Sequence, residues 1–145
     1  MLYGIRVDWA VWQPRVLAAL RIMTALLFLQ SGLSKLFGFP APPPANFALF
    51  SLIGLAGLIE VVGSLLLLFG LFTREAAFIM AGEMAVAYFM VRWSGSFFPL
   101  VNGGRLEVLF SFVFLYFVFA GPGAWSLDSR RPGAGAPDGA ALPRR

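Results

Sequence analysis

The sequence predicts an all-α fold, a transmembrane four-helix bundle, and three observations carry that prediction. Of the 145 residues, 59% are hydrophobic and 12% charged, roughly half the charge with which a soluble domain covers itself. The apolar residues collect into four helix-length runs divided by Pro- and Gly-rich breaks or tight turns, near the roughly 20 residues that cross a bilayer. The basic residues sit at the ends of these runs and in the C-terminal stretch, with no continuous basic face. Despite a net charge of +4, that is the pattern of membrane topology, not of nucleic-acid binding.

Residues 1–14 read as an N-terminal interfacial segment. "MLYGIRVDWAVWQ" lacks the short apolar core and small-residue cleavage site of a signal peptide, while Trp9 and Trp12 suit a membrane interface. The first helix is expected from Arg15 to Phe37, with Pro14 at a tolerated helix start. "GFPAPPPAN" ends it, because proline removes donors and blocks the helix. The second is expected over 47–72, with Asn46 as N-cap. In the turn "GLFTRE" that follows, Thr73 caps a third helix over 74–92 and Glu75 suits its positive end. "WSGSFFPLV" is the next break. Asn102 then caps a fourth helix, which Gly121 and Pro122 stop. The four helices form a transmembrane domain over 15–122, and 123–145, rich in Gly, Pro and Ala, read as a disordered cytoplasmic tail.

The chain has no cysteine and no histidine, which excludes disulfides, thiol redox chemistry, thiolate or imidazole metal sites and histidine acid–base catalysis. No metal centre is expected. Its length holds one compact unit. What remains to carry chemistry is a handful of charges inside the apolar runs. In "SLIGLAGLIEVVGSLLLLFGLF" (51–72), Glu60 stands at the depth where a charge costs most. At 100° per residue its face is shared by Ile53, Ala56, Gly57, Gly63, Ser64 and Leu67. Small residues allow helices to approach closely in lipid, so Glu60 is expected to face the bundle interior. On the third helix Glu83 shares a stripe with Ala76, Ile79, Met80, Val86, Ala87 and Met90. On the first, Arg21, Ala25, Phe28, Gly32 and Lys35 form another. Glu107 lies one turn inside the fourth.

A rise of about 1.5 Å per residue places Glu60 and Glu83 near the midplane, Arg21 about 8 Å to one side, and Lys35 and Glu107 about 8–12 Å to the other. On this reading Arg21, Glu60 and Glu83 form the candidate buried polar site, the planar fork of Arg21 holding one carboxylate or bridging two. Lys35 and Glu107, with Asn102, form a supporting pair at the far end. Two buried cations (Arg21, Lys35) against three carboxyls leave one acid in excess. Either Arg92 or Arg105 turns inward to balance it, or one carboxyl holds a proton. Such charges act as glue between helices or as a proton, ion or ligand site, and one does not exclude the other.

Four spans put both termini on one side of the membrane. Arg6, Arg15, Arg74, Arg130 and Arg131 fall on that side and Lys35, Arg92 and Arg105 on the other, so both termini are expected in the cytoplasm of a plasma-membrane protein.

Three stretches carry a resemblance to a known family. "LRIMTALLFLQSGLSKLFGF" resembles the opening of the DoxX family of small four-helix membrane proteins, an arginine, an apolar stretch, then G-x-x-K-L-F-G. "LIEVVGSLLLLFGLFTR" resembles its second helix, E-x-x-G with a G-L-x-T-R end. "NGGRLEVLFSFVFLYFVFAGPGAWSLD" resembles its fourth, with the N-G-G-x-x-E entrance and the G-P-G-x-x-S-L-D exit. The match covers Leu17 to Asp128. It implies a bacterial four-helix integral membrane protein with both termini inside. It also places Arg21, Gly32, Lys35, Glu60, Gly63, Gly70, Thr73, Arg74, Asn102, Glu107 and Asp128 at recurrent positions. Many relatives have a histidine directly before the glycine of the first motif. Here that residue is Ser31, so no role that needs an imidazole carries over.

Some relatives are subunits of thiosulfate:quinone oxidoreductase, and others belong to a membrane oxidoreductase complex linked to detoxification of oxidants. The resemblance therefore implies a membrane subunit of an oxidoreductase or quinone-linked system. A partner subunit would hold the redox centre, since this chain binds no cofactor alone and quinone enters only through the family. The alternatives are a small proton- or solute-coupled transporter built on Glu60 and Glu83, which in so small a bundle calls for a homo-oligomer, and a non-catalytic scaffold. The lipid bilayer is the partner common to all three.

Overall fold

The computed structural model describes residues 8–45 and 47–132; the Asn46 cap, the first seven residues and the tail beyond Pro132 lie outside them. Helix α1 spans Trp9–Phe37. It starts earlier than the expected Arg15 because the Asp8 carboxylate accepts from the Ala10 N–H at 3.2 Å and Pro14 is accommodated inside the helix. Gly38, in the left-handed conformation at φ 68°, stops it, the conformation that glycine adopts at no steric cost. Helix α2 spans Leu52–Phe69, shorter at both ends than expected. Its start is set by Ser51, whose side chain accepts from the Gly54 N–H at 3.4 Å, and its end by left-handed Gly70.

Helix α3 spans Thr73–Ala87 and runs on into a π-helical turn, Tyr88–Arg92. A short helix α4, Pro99–Asn102, precedes α5, Arg105–Ala120. A 3₁₀ turn at Asp128–Arg130 closes the described chain. α1 packs on α2, α2 on α3 and α3 on α5. Phe28 of α1 closes the ring, meeting Phe110 and Phe114 of α5 edge-on at 4.8 and 4.7 Å. The core is filled from all four long helices by Ala25, Phe28, Leu67, Ala77, Met80, Phe114 and Phe117. The α1–α2 contact depends on Gly32, where a Cβ would lie 2.7 Å from the Val61 Cγ2 and 2.9 Å from its amide nitrogen.

The outside of the bundle is apolar all round: Val16, Leu27, Leu58, Phe78, Phe112 and Phe119 are all exposed. α1 and α2 are each long and apolar enough to cross a membrane alone. α5, with 16 residues, reaches about 24 Å and relies on its neighbours. A bundle with this surface is covered by lipid, and its helices satisfy their own backbone groups there.

Most of the expected stripe on α2 is buried, namely Gly57, Glu60, Gly63, Ser64 and Leu67, while Ile53 and Ala56 are half-buried and Gly54 takes the inner position near the helix start. The stripe on α3 needs correcting. Its buried face is Thr73, Ala76, Ala77, Met80, Ala81 and Met84, whereas Ile79, Val86 and Met90 are exposed. The extensive contact with α5 sets that face, and Glu83 stands at its edge.

Candidate functional site

Glu60, in the middle of α2, is 1% exposed, and its partner is Lys35. The Lys35 Nζ lies 2.7 Å from Glu60 Oε1, and Ser31, one turn earlier on α1, donates to the same oxygen at 3.2 Å. The expected Arg21–Glu60–Glu83 constellation does not form, and neither does the expected Lys35–Glu107 pair. One geometric rule accounts for both corrections. Helical side chains lean toward the N-terminus of their own helix. Lys35, near the C-terminal end of α1, therefore folds back into the bundle, while Glu60 on antiparallel α2 leans to meet it. Arg21 leans the other way, out toward the end where α1 begins.

Glu83 on α3 faces Glu60 at the same level, as its contact order requires: in this antiparallel pair a Cβ on Gly63 would meet the Met80 side chain, three residues from each acid. Both Glu83 carboxyl oxygens are buried without a hydrogen-bond partner among the described residues. The charges acting on it are those of Glu60 and Lys35. Glu60 Oε2 and the Ser64 hydroxyl are likewise buried and unpartnered. The acid in excess is thus Glu83, because Arg92 does turn inward, its Nε 2.9 Å from Glu107 Oε1. Asn102 supports the loop beside that pair. Its amide nitrogen donates to the Tyr88 hydroxyl at 3.2 Å and the Ser96 carbonyl at 2.9 Å, and its oxygen accepts from the Gly104 N–H at 2.7 Å.

At the opposite end the polar residues of the motifs build a clamp around the exit of α5. Arg21, fully buried, donates to the carbonyls of Pro122 at 2.6 Å and Trp125 at 2.9 Å. Arg74 donates to the carbonyls of Val118 and Phe119, satisfying the last turn of α5. Thr73 is not the cap of α3; Phe72 holds that position without a side-chain bond, and the Asp128 carboxylate supplies it, accepting from the N–H groups of Phe72 and Thr73 at 2.9 Å each. Burial works against the charged form of Asp128, but these backbone donors and Arg131 outweigh it and hold its carboxyl below the usual range. Residues 123–132, expected to begin a disordered tail, are therefore folded back onto the bundle, with Ala124 donating to Pro14, Leu127 to Phe69 and Asp128 to Gly70 along the backbone.

One cleft of about 250 Å³ opens between α2 and α3, lined by Leu58, Ile59, Val62, Gly63, Leu66, Ala76, Ile79 and Met80. It suits an apolar chain. No side chain among those lining residues can donate a hydrogen bond to a quinone oxygen, so the cleft does not fit a quinone head group.

An apolar ring of antiparallel helices, a buried acid–lysine cluster at its centre and a charged clamp at one end define a small integral membrane protein of the polytopic helical class. The chain belongs to the DoxX family, whose profile matches residues 16–93. It is similar to an uncharacterized protein of Haemophilus influenzae, 48% identical over 124 residues that cover 82% of this chain and 92% of that protein. It is also similar to an uncharacterized membrane protein of Mycobacterium tuberculosis, 26% identical over 136 residues that cover 81% of this chain and 82% of the relative. No solved structure matches it.

Proposed function

We propose that this chain is the membrane subunit of an oxidoreductase system, handling a proton while a partner subunit carries the electrons. The observation that supports this reading is Glu83, a carboxyl buried without a partner opposite the Lys35–Glu60 pair. Charges that serve only as glue between helices come in matched sets, and an intramembrane acid left over is a functional group by default. With no Cys or His the chain lacks the thiolates and imidazoles that hold haem and iron–sulfur centres, and the proposal gives the electrons to the partner. A quinone in this system would place its apolar tail along the α2–α3 cleft and its head group against the partner.

The same reading places the protein in a bacterial plasma membrane with both termini in the cytoplasm. Arg15, Arg74, Arg130 and Arg131 lie at the end of the bundle where α1 begins and α5 exits, with Arg131 4.0 Å from Asp128, whereas Lys35 and Arg92 at the other end are folded into ion pairs in the bundle, which accords with positive charge facing inward. The second reading is a small proton-coupled transporter working as a homo-oligomer. It draws on the same acids, but the α2–α3 cleft offers a solute no polar path.

The test is quinone reduction with thiosulfate as donor, in membranes with the wild-type chain, without it, and with Glu83→Gln. Removing the chain or the acid should lower the rate at least about a hundredfold, the smaller end of what a positioned acid or base contributes. Unchanged rates contradict the proposal. Proton-coupled flux through proteoliposomes of the purified chain alone would favour the transporter instead. For topology, a cysteine placed by Pro43→Cys should label only from outside the cell.

A further inference from the structure

Among the described residues seven buried polar side-chain atoms lack partners; Arg21 Nε, Thr73 Oγ1 and Glu107 Oε2 stand apart, and the other four gather in one place. Glu60 Oε2 and Ser64 Oγ lie one turn apart on the same face of α2, and both Glu83 oxygens lie across from them on α3. Ser64 is fully buried. Its side chain leans toward the N-terminus of α2, along the helix toward Glu60. Of these four oxygens only the Ser64 hydroxyl carries a hydrogen, and three carboxyl oxygens sharing so few donors are costly inside a bundle. The set is short of hydrogen, and a proton is the one ligand that satisfies carboxyl oxygens without needing a cavity.

The surroundings also give the set a direction. On one side the Lys35 side chain is 23% exposed and the Glu60 side chain 2%, so the lysine reaches from the loop end of the bundle down to the acid. On the other side Ala25, Leu67, Met80, Phe114 and Phe117 are sealed, each 0% exposed. The charged groups facing the set are Lys35 from α1, Glu60 from α2 and Glu83 from α3. Arg21 is committed to the Pro122 and Trp125 carbonyls; on α5 Arg105 is exposed and Glu107 is held by Arg92.

We propose that Glu60, Glu83 and Ser64 form a proton-binding site inside the bundle, which exchanges its proton with water at the Lys35 end and is closed toward the Arg21 end. One carboxyl holds the proton. The other stays paired with Lys35, and Ser64 donates to a carboxyl oxygen when the proton leaves. Binding adds one proton and nothing else changes hands. The inference deepens the proton-handling role proposed above and rests on it for its purpose, but not for its test.

Infrared difference spectra of the wild-type chain in proteoliposomes, taken between neutral and alkaline pH, read the site directly. The carbonyl stretch of one protonated carboxyl should be present at neutral pH and shift in D2O. It should disappear in Glu83→Gln or in Glu60→Gln, and move in Ser64→Ala. Absence of the band in wild type, or its persistence in both glutamine variants, overturns the site. For direction, a thiol from Ser31→Cys should react with a membrane-impermeant methanethiosulfonate added from the side that labels Pro43→Cys. A thiol from Ser64→Cys that reacts from the opposite side overturns the closure. A band that behaves as expected, with quinone reduction unaffected by Glu83→Gln, keeps the site and removes the oxidoreductase reading.

Discussion

Asp128 caps α3 from 55 residues further along the chain, its carboxylate oxygens accepting the Phe72 and Thr73 N–H groups at 2.9 Å. A helix N-terminus leaves its first donors without partners inside the helix. Here the turn is so tight, with Phe72 itself in the left-handed region at φ 48°, that no neighbour supplies the cap. The same contact folds the segment after α5 back over the bundle, so one carboxylate joins two chain segments.

Asp128→Ala should therefore destabilise the fold by about 1–2 kcal/mol, the usual range for loss of an N-cap. The effect depends on pH. The carboxyl is held below its ordinary value of 3.8 in the folded chain, so its contribution is complete above the unfolded range. It is lost as pH falls through that value toward the lower folded one. Stability curves of wild type and Asp128→Ala, measured from neutral pH down to about pH 3, should draw together toward the acid end. A gap that stays constant over that range would count against the cap.

Arg21 acts at the same end. Arg21→Ala strands the Pro122 and Trp125 carbonyls and should cost on the order of 3 kcal/mol. Arg21→Lys should recover only part of this, because one ammonium cannot reproduce the fork. Gly70→Ala should resemble Arg21→Ala, since a Cβ there meets the Arg21 guanidinium and Ser126 and the backbone is at φ +65°. The readout is tryptic cleavage after Arg130, faster in these variants and unchanged in Lys35→Met. Equal cleavage in all would show that the clamp does not hold this segment.

The ion pair at the loop end should matter less. Arg92 has a side chain 41% exposed, so Arg92→Gln should cost less than about 1 kcal/mol. An equilibrium unfolding titration in mixed micelles that finds a loss as large as that of Lys35→Met would contradict this ranking.

Much of the fold is readable from the residues. Four apolar runs, their Gly stops and most of the small-residue face around Glu60 lie close to where counting places them, although α1 begins earlier and α2 is shorter than expected, because helix periodicity and the length of a membrane span are local properties. The partners of the buried charges are not readable by depth alone. Counting residues places Arg21 and Lys35 at comparable distances from Glu60, but side chains lean along the helix, which sends Lys35 inward and Arg21 outward. The one-turn spacing of Ser31 and Lys35 was the available signal. The α3 face was misassigned because contact with α5, a long-range property, decides it. The Asp128 cap joins residues too far apart for any local pattern to reveal.

The central claim is that Lys35, not Arg21, holds Glu60, and a double-mutant cycle by equilibrium unfolding in mixed micelles tests it most directly. Lys35→Met alone should cost about 3 kcal/mol, because it strands a buried carboxylate. The double variant Lys35→Met/Glu60→Leu should recover much of that loss. The cycle of Arg21→Met with Glu60→Leu should be additive within about 0.5 kcal/mol. Strong coupling between Arg21 and Glu60, with Lys35 and Glu60 additive, would contradict the account.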